Sequence, residues 1–170
     1  MPIFVHLAPE TEIRHIRRAG IRAARVPPGA QAHAFGITRG VFALPVLPNF
    51  QTSHQWLREL RRRGPRQLVG VYFRIDDGEQ VHIGRYNREH ERVTAAKAAG
   101  MLLDADDPYG YEVMIPHAIP ASAITSIRGL RQLTGWRHYP GANGKQPYCC
   151  CPYCQRGNIK SQRLRQQFQP

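Results

Sequence analysis

The chain has 170 residues, enough for one domain with a small appendage. Its 42% hydrophobic content excludes a chain disordered by composition, and no apolar run approaches the roughly 18 residues that span a bilayer, so no membrane partner is expected. Lys and Arg total 24 against 12 Asp and Glu, a net charge of +12 that attracts polyanions. Arg dominates the cations, and its guanidinium suits bidentate contact with phosphate. The alternative is a set of solvated arginines with no ligand. The opening MPIFVHLAPE lacks a basic stretch and a long apolar run, so a cytoplasmic location without a signal peptide is expected. A toxin exported by dedicated machinery would read the same way.

In chain order, IFVHL reads as a first strand. Pro9 suits the first turn of a helix, with Glu10 and Glu12 at its positive end. Ile13, Ile16 and Ile21 form the helical stripe and Gly20 the stop. From Arg25 to Gly40 the Pro-, Gly- and Ala-rich composition predicts a loop. VFAL, residues 41–44, predicts a short strand. Thr52 with Gln55 has capping-box spacing ahead of Trp56, Leu57 and Leu60 on a basic helix. QLVGVYFRI, residues 67–75, is the strongest strand signal. The turn Asp76-Asp77-Gly78 and the strand VHIG then predict a hairpin. NREHER, residues 87–92, reads as a solvated helix start or loop. Thr94 caps an Ala-rich helix to Leu103. An acidic loop follows, then the strand YEVMI, a Pro-bounded turn and the strand AITSI. The order predicts an α+β fold rather than a doubly wound sheet.

Basic residues cluster in RELRRRGPR, with Arg61, Arg62 and Arg63, and in the tail RGNIKSQRLR, with Arg156, Lys160 and Arg163. Both are candidate nucleic-acid contacts. The four cysteines lie within six residues, which closes no loops and argues against a disulfide framework. Cys151 and Cys154 form a C-x-x-C, and Cys149 adds a third thiolate. This supplies most of a Zn²⁺ shell, with the fourth ligand open. A packed reduced turn and a redox cluster are the other two readings.

Three residues stand out as candidates for chemistry. His6, at a strand end before a helix, can hold a ribose hydroxyl or serve as a structural histidine. Phe42 can stack on a planar ring or belong to the core. Glu112 is set among apolar neighbours, where an unpaired buried carboxylate is costly. It can face water, pair with an Arg, or point into a cleft that holds developing positive charge.

Taken together these stretches resemble the ADP-ribosyltransferases, and among them the DarT-like toxins with an H-[Y/F]-E triad. FVHLAPETEIRHIRRAGI is similar to the family's opening, and EVMIPHAIPASAITSI to its third motif; together they cover about a fifth of the chain. The resemblance implies a split mixed or antiparallel sheet with peripheral helices over residues 1–140. It leaves residues 141–170 as a Cys-rich, basic appendage. It implies NAD as substrate, His6 on the nicotinamide-side ribose, and Phe42 against the nicotinamide where the family often has Tyr. Glu112 is then the catalytic carboxylate. Arg14 and Arg18, with Arg17 and Arg22, are candidates for the pyrophosphate. The charge of +12 and the third motif together favour a nucleic-acid acceptor, a toxin or defence role follows from the likeness, and the sequence itself indicates no antitoxin partner. RNA 2′-phosphotransferases share the fold family and use NAD, but depend on Arg-His motifs. Here Arg14-His15 and Arg137-His138 stand in other surroundings. The competing class is a non-enzymatic, zinc-stabilised nucleic-acid-binding module in which Glu112 faces solvent. The enzyme reading requires His6, Phe42 and Glu112 to converge on one cleft, and it fails if His6 and Glu112 lie on opposite faces of the sheet.

Overall fold

The structure, a computed structural model, describes residues 1–26, 38–62, 64, 67–86 and 88–130. The chain divides into two units, Met1–Trp136 and Arg137–Pro170, and every described residue belongs to the first. The cysteine cluster, the basic tail, Arg63 and the 137–138 pair lie outside the described residues.

The described residues form an α+β fold built on an eight-stranded antiparallel sheet with few helices. The strands are β1 (Ile3–Pro9), β2 (Ala24–Arg25), β3 (Arg39–Pro45), β4 (Leu68–Arg74), β5 (Gln80–Arg85), β6 (His90–Thr94), β7 (Tyr111–Ile115) and β8 (Ile124–Gly129). Their order is β6-β5-β7-β3-β1-β4-β8, with β2 paired to β3. The helices are α1 (Ile13–Ala19), α2 (Phe50–Ser53), α3 (Leu57–Arg61) and α4 (Ala95–Asp104).

The sheet is two segments with a narrow join. β1 pairs β4 along seven residues, from Ile3↔Arg74 to Pro9↔Leu68. It pairs β3 at Phe4↔Pro45 and Val5↔Leu44 alone. Beyond Val5 the strands part: β1 continues with β4, and β3 continues with β7 and β2. One core lies on the face that carries Phe4, Val71, Phe73, Val41, Val113 and Ile83. Ile16 of α1 and Ala95, Ala98 and Leu102 of α4 pack into it, which is why both helices show apolar residues at three- and four-residue spacing. Burying the larger of these side chains, worth ~1.5–3 kcal/mol each, helps to hold the two segments together.

Several expectations need correction. The pair expected as a hairpin, β4 and β5, is not one. β4 is taken by β1 and β8, and β5 by β6 and β7. The reason is burial: Leu68 to Phe73 is buried throughout, as suits a strand flanked on both sides. NREHER contains the start of a strand, β6, rather than a helix start. Pro9 ends β1, with extended φ −57° and ψ 137°, and a 3₁₀ turn over Glu10–Glu12 leads into α1. Thr52 does not cap a helix. The cap is Asn49, whose side chain accepts from the Gln51 and Thr52 amides, and Thr52 lies inside α2. Thr94 does cap α4, its hydroxyl accepting from the Lys97 amide at 3.2 Å. Arg25, expected at the start of a loop, pairs with Arg39 across β2 and β3.

The helix stop at Gly20 has a specific cause. Its φ is +81°, and a Cβ there would stand 2.1 Å from the Ile119 carbonyl oxygen. Only glycine allows this approach. The next residue, Ile21, exchanges backbone hydrogen bonds with Ile119 at 2.8 and 2.9 Å. The end of α1 is thereby fixed to the Pro-bounded turn after β7.

Candidate active site

β7, β3 and β1 are consecutive neighbours in the sheet, and they carry Glu112, Phe42 and His6. These residues are 36 and 70 positions apart in sequence, so the topology alone brings their strands side by side.

Register fixes the faces. Phe42 is the partner of Met114, so Phe42, Met114 and Glu112 share one face by alternation. Phe42 is 38% exposed, an open aromatic rather than a core residue. His6 is the partner of Val71 on β4; it stands inside β1 rather than at a strand end, on the same face as Phe4 and Ala8, which is the core face and not that of Glu112. By register His6 and Glu112 therefore stand on opposite faces of the sheet, the arrangement on which the enzyme reading is expected to fail. At His6, however, the sheet is open, because the β1–β3 pairing ends at Val5↔Leu44. The imidazole lies across that opening: Nδ1 donates to the main-chain carbonyl of Phe42 at 2.7 Å. His6 is therefore tied to β3 at the Phe42 position. Among the described residues no hydrogen bond or ion pair joins His6 to Glu112.

The hydrogen bond decides the His6 tautomer. With Nδ1–H committed to Phe42, Nε2 presents a lone pair. Burial lowers the His6 pKa from its ordinary value, and the carbonyl bond and the charge of Glu12 oppose the shift without reversing it. The ring is thus held as an acceptor, a form that suits a hydroxyl donor such as a ribose.

Glu112 is half-buried, its side chain 21% exposed, and it has no Arg partner among the described residues. Its partner is His90 on β6, with Nε2 to Oε1 at 3.2 Å. His90 is 5% exposed. Sequence reading missed this residue because NREHER looks like a charged loop; the alternation of His90, Arg92 and Thr94 against Val93 was the available signal.

The entry to β7 is clamped by the corner between α2 and α3. Gln55 accepts from the Gly110 amide at 2.6 Å and donates to the Pro108 carbonyl at 3.0 Å. Trp56 Nε1 donates to the Tyr111 carbonyl at 2.6 Å. Arg85 holds Asp107 through Oδ2 at 3.0 Å and lies over the Tyr111 ring at 5.0 Å. These contacts fix the backbone on which Glu112 stands.

The remaining expected residues are placed as follows. Arg14, Arg17, Arg18 and Arg22 are exposed on or just after α1, and among the described residues no contact selects one of them. Arg61 is half-buried in the last turn of α3. Arg62 pairs with Glu59 at 3.0 Å, so its charge is partly committed. Among the described residues no group of three or more His, Cys, Asp or Glu is arranged to hold a metal, and the expected thiolate ligands lie outside that set. No described helix is long and apolar enough to cross a membrane.

No family model matches the chain, and no curated protein or solved structure matches it.

Proposed function

We propose that the chain transfers ADP-ribose from NAD to a nucleic-acid acceptor. The observation that carries this reading is the adjacency of β1, β3 and β7, which bear His6, Phe42 and Glu112, with His6 bonded to the Phe42 carbonyl where β1 and β3 part. Two further features support it. The sheet divides into two segments, as an ADP-ribosyltransferase-like split sheet requires. The two stretches that carry the resemblance also meet, through Ile21 and Ile119.

In this reading the glycosidic C–N bond of NAD breaks and nicotinamide leaves with the bonding pair. The ribosyl group passes through an oxocarbenium-like state, and the acceptor forms the new bond and releases a proton. His6 Nε2 accepts from a ribose hydroxyl and sets the sugar. Phe42 offers an exposed ring to the nicotinamide. The Glu112 carboxylate faces the sugar as positive charge develops and orients the acceptor. A fixed carboxylate in a half-buried site stabilises that charge far better than one in water.

The nucleic-acid acceptor is supported by charge. Arg14, Arg17, Arg18 and Arg22 line the exposed side of α1 and its exit, and Arg25 and Arg39 stand as direct cross-strand partners. Among the described residues none of these six has a carboxylate partner. Like charges directly opposite on a sheet are destabilising, and a phosphate backbone relieves that repulsion.

Release of nicotinamide from NAD tests the reading. The wild-type chain should release it, and Glu112→Gln, which keeps the shape and removes the charge, should slow release about 10²- to 10³-fold. Release undiminished in Glu112→Gln would remove Glu112 from this role.

A further inference from the structure

We propose that His90 is the positioning residue of Glu112, holding the carboxylate through an Nε2–H donation that passes over Gly84. This rests on the reading of Glu112 as the catalytic carboxylate.

Gly84 of β5 is the register partner of His90 on one side and of Glu112 on the other. The three residues form one row across β6, β5 and β7. In such a row the outer two strands are about 9–10 Å apart, and a side chain on the middle strand normally stands between them. Here nothing does. The His90 ring occupies the space over the glycine: a Cβ at Gly84 would lie 2.8 Å from His90 Cγ and 2.5 Å from the Glu89 carbonyl oxygen. That absence of a side chain lets His90 reach Glu112 at 3.2 Å.

The ring is fixed in place. Its side chain is 3% exposed, and its Nδ1 is buried without a described hydrogen-bond partner. A proton on Nδ1 would be buried and unpaired, whereas a proton on Nε2 meets the carboxylate. The contact therefore selects the Nε2–H tautomer. A glutamate has three rotatable bonds, and a half-buried one without a partner would sample several orientations. A rigid, buried donor removes that freedom on the side away from the His6–Phe42 opening.

The other charged groups leave this role to His90. His82 and Arg92 share its face one row along, as partners of each other, with His82 also the partner of Met114. Arg85 and Tyr111 are partners on the opposite face. His6 is engaged with the Phe42 carbonyl. Among the described residues Glu112 makes its one ion pair with His90.

The test uses the full chain and three readouts. Steady-state NAD turnover is measured for wild type, His90→Leu and His90→Gln. Loss of the donor in His90→Leu should lower kcat about 10- to 100-fold, the scale of a misplaced catalytic group, with KM for NAD changed less than about twofold. His90→Gln supplies an amide donor of similar reach and should recover most of kcat. A merely structural histidine would not show this split or this rescue. Should His90→Leu fail to fold, His90→Gln decides: kcat near wild type supports the role, and a loss equal to that of Glu112→Gln overturns it. Nitrogen-15 spectra of the imidazole form the third readout. Wild type should show His90 protonated at Nε2, and Glu112→Leu should perturb that signal. Unchanged kcat in a folded His90→Leu, or an Nδ1–H tautomer in wild type, overturns the proposal while leaving the proposed function standing. A wild-type chain with no NAD turnover removes the function and the positioning role together, and the nitrogen signal then reports the contact alone.

Discussion

At the residue scale, the histidines carry the clearest consequences. His6 donates through Nδ1 to Phe42, so its Nε2 is an acceptor. His54 is arranged the same way, with Nδ1 donating to the Phe50 carbonyl and Nε2 accepting from the Tyr72 hydroxyl, both at 2.8 Å. Burial is the first cause that lowers the pKa of His6, His54 and His82. The unfolded chain therefore binds protons at these positions more readily than the folded one. Their stabilising contribution is full above the ordinary value of 6.5 and declines as pH falls from there through the lowered folded values. A melting temperature flat from about pH 7 to 8 and falling below about pH 6.5 is expected in thermal melts. Protonation of His6 also removes its acceptor, so KM for NAD should rise over the same acid range. His6→Ala should raise KM at neutral pH, by about 10-fold for one lost hydrogen bond to a hydroxyl. A KM unchanged in His6→Ala would detach His6 from the ribose.

At the element scale, the glycines at the close approaches matter most. Gly20 joins α1 to the turn after β7, and Gly84 makes room for His90. Gly20→Ala combines an unfavourable φ with a backbone clash and should cost about 2–4 kcal/mol in denaturant unfolding. Gly84→Ala meets Glu89 backbone as well as the His90 ring, so it should lose both stability and kcat. The sequence made the first of these legible, because a Gly ends the isoleucine stripe of α1. It gave no warning of the second. A glycine inside VHIG marks a close approach in general, but the partner is set by a register that local pattern does not encode. The same limit explains the misread hairpin. Asp76-Asp77-Gly78 is a genuine turn, its Oδ1 at Asp76 accepting from the Gly78 amide at 3.0 Å. Yet the strands it joins enter different segments of the sheet, because β1 and β8 already flank β4. The site shows this division clearly. Residue chemistry singled out His6, Phe42 and Glu112; it could not show that the sheet opens between β1 and β3, nor that the partner of Glu112 would be a histidine rather than an arginine.

At the scale of the whole molecule, the charge of +12 is what supports the proposed nucleic-acid acceptor. The Arg25–Arg39 pair and the run on α1 leave an uncompensated basic surface among the described residues. Binding to a single-stranded oligonucleotide should weaken steeply with salt, with a log–log slope of about −0.7 for each phosphate contacted. Arg25→Glu with Arg39→Glu should flatten that slope while leaving nicotinamide release without acceptor intact. A slope unchanged by the double variant would move the contact surface elsewhere on the chain.

The central claim is that Glu112 serves ADP-ribose transfer to a nucleic acid. Its most direct test is incubation of the chain with adenylate-labelled NAD and separate DNA, RNA and protein pools, comparing wild type with Glu112→Gln. Label is expected on a nucleic-acid pool with wild type and lost with Glu112→Gln. Label that survives Glu112→Gln undiminished, or no label on any pool alongside tight salt-dependent nucleic-acid binding, would contradict it, and the latter result would favour a binding module instead.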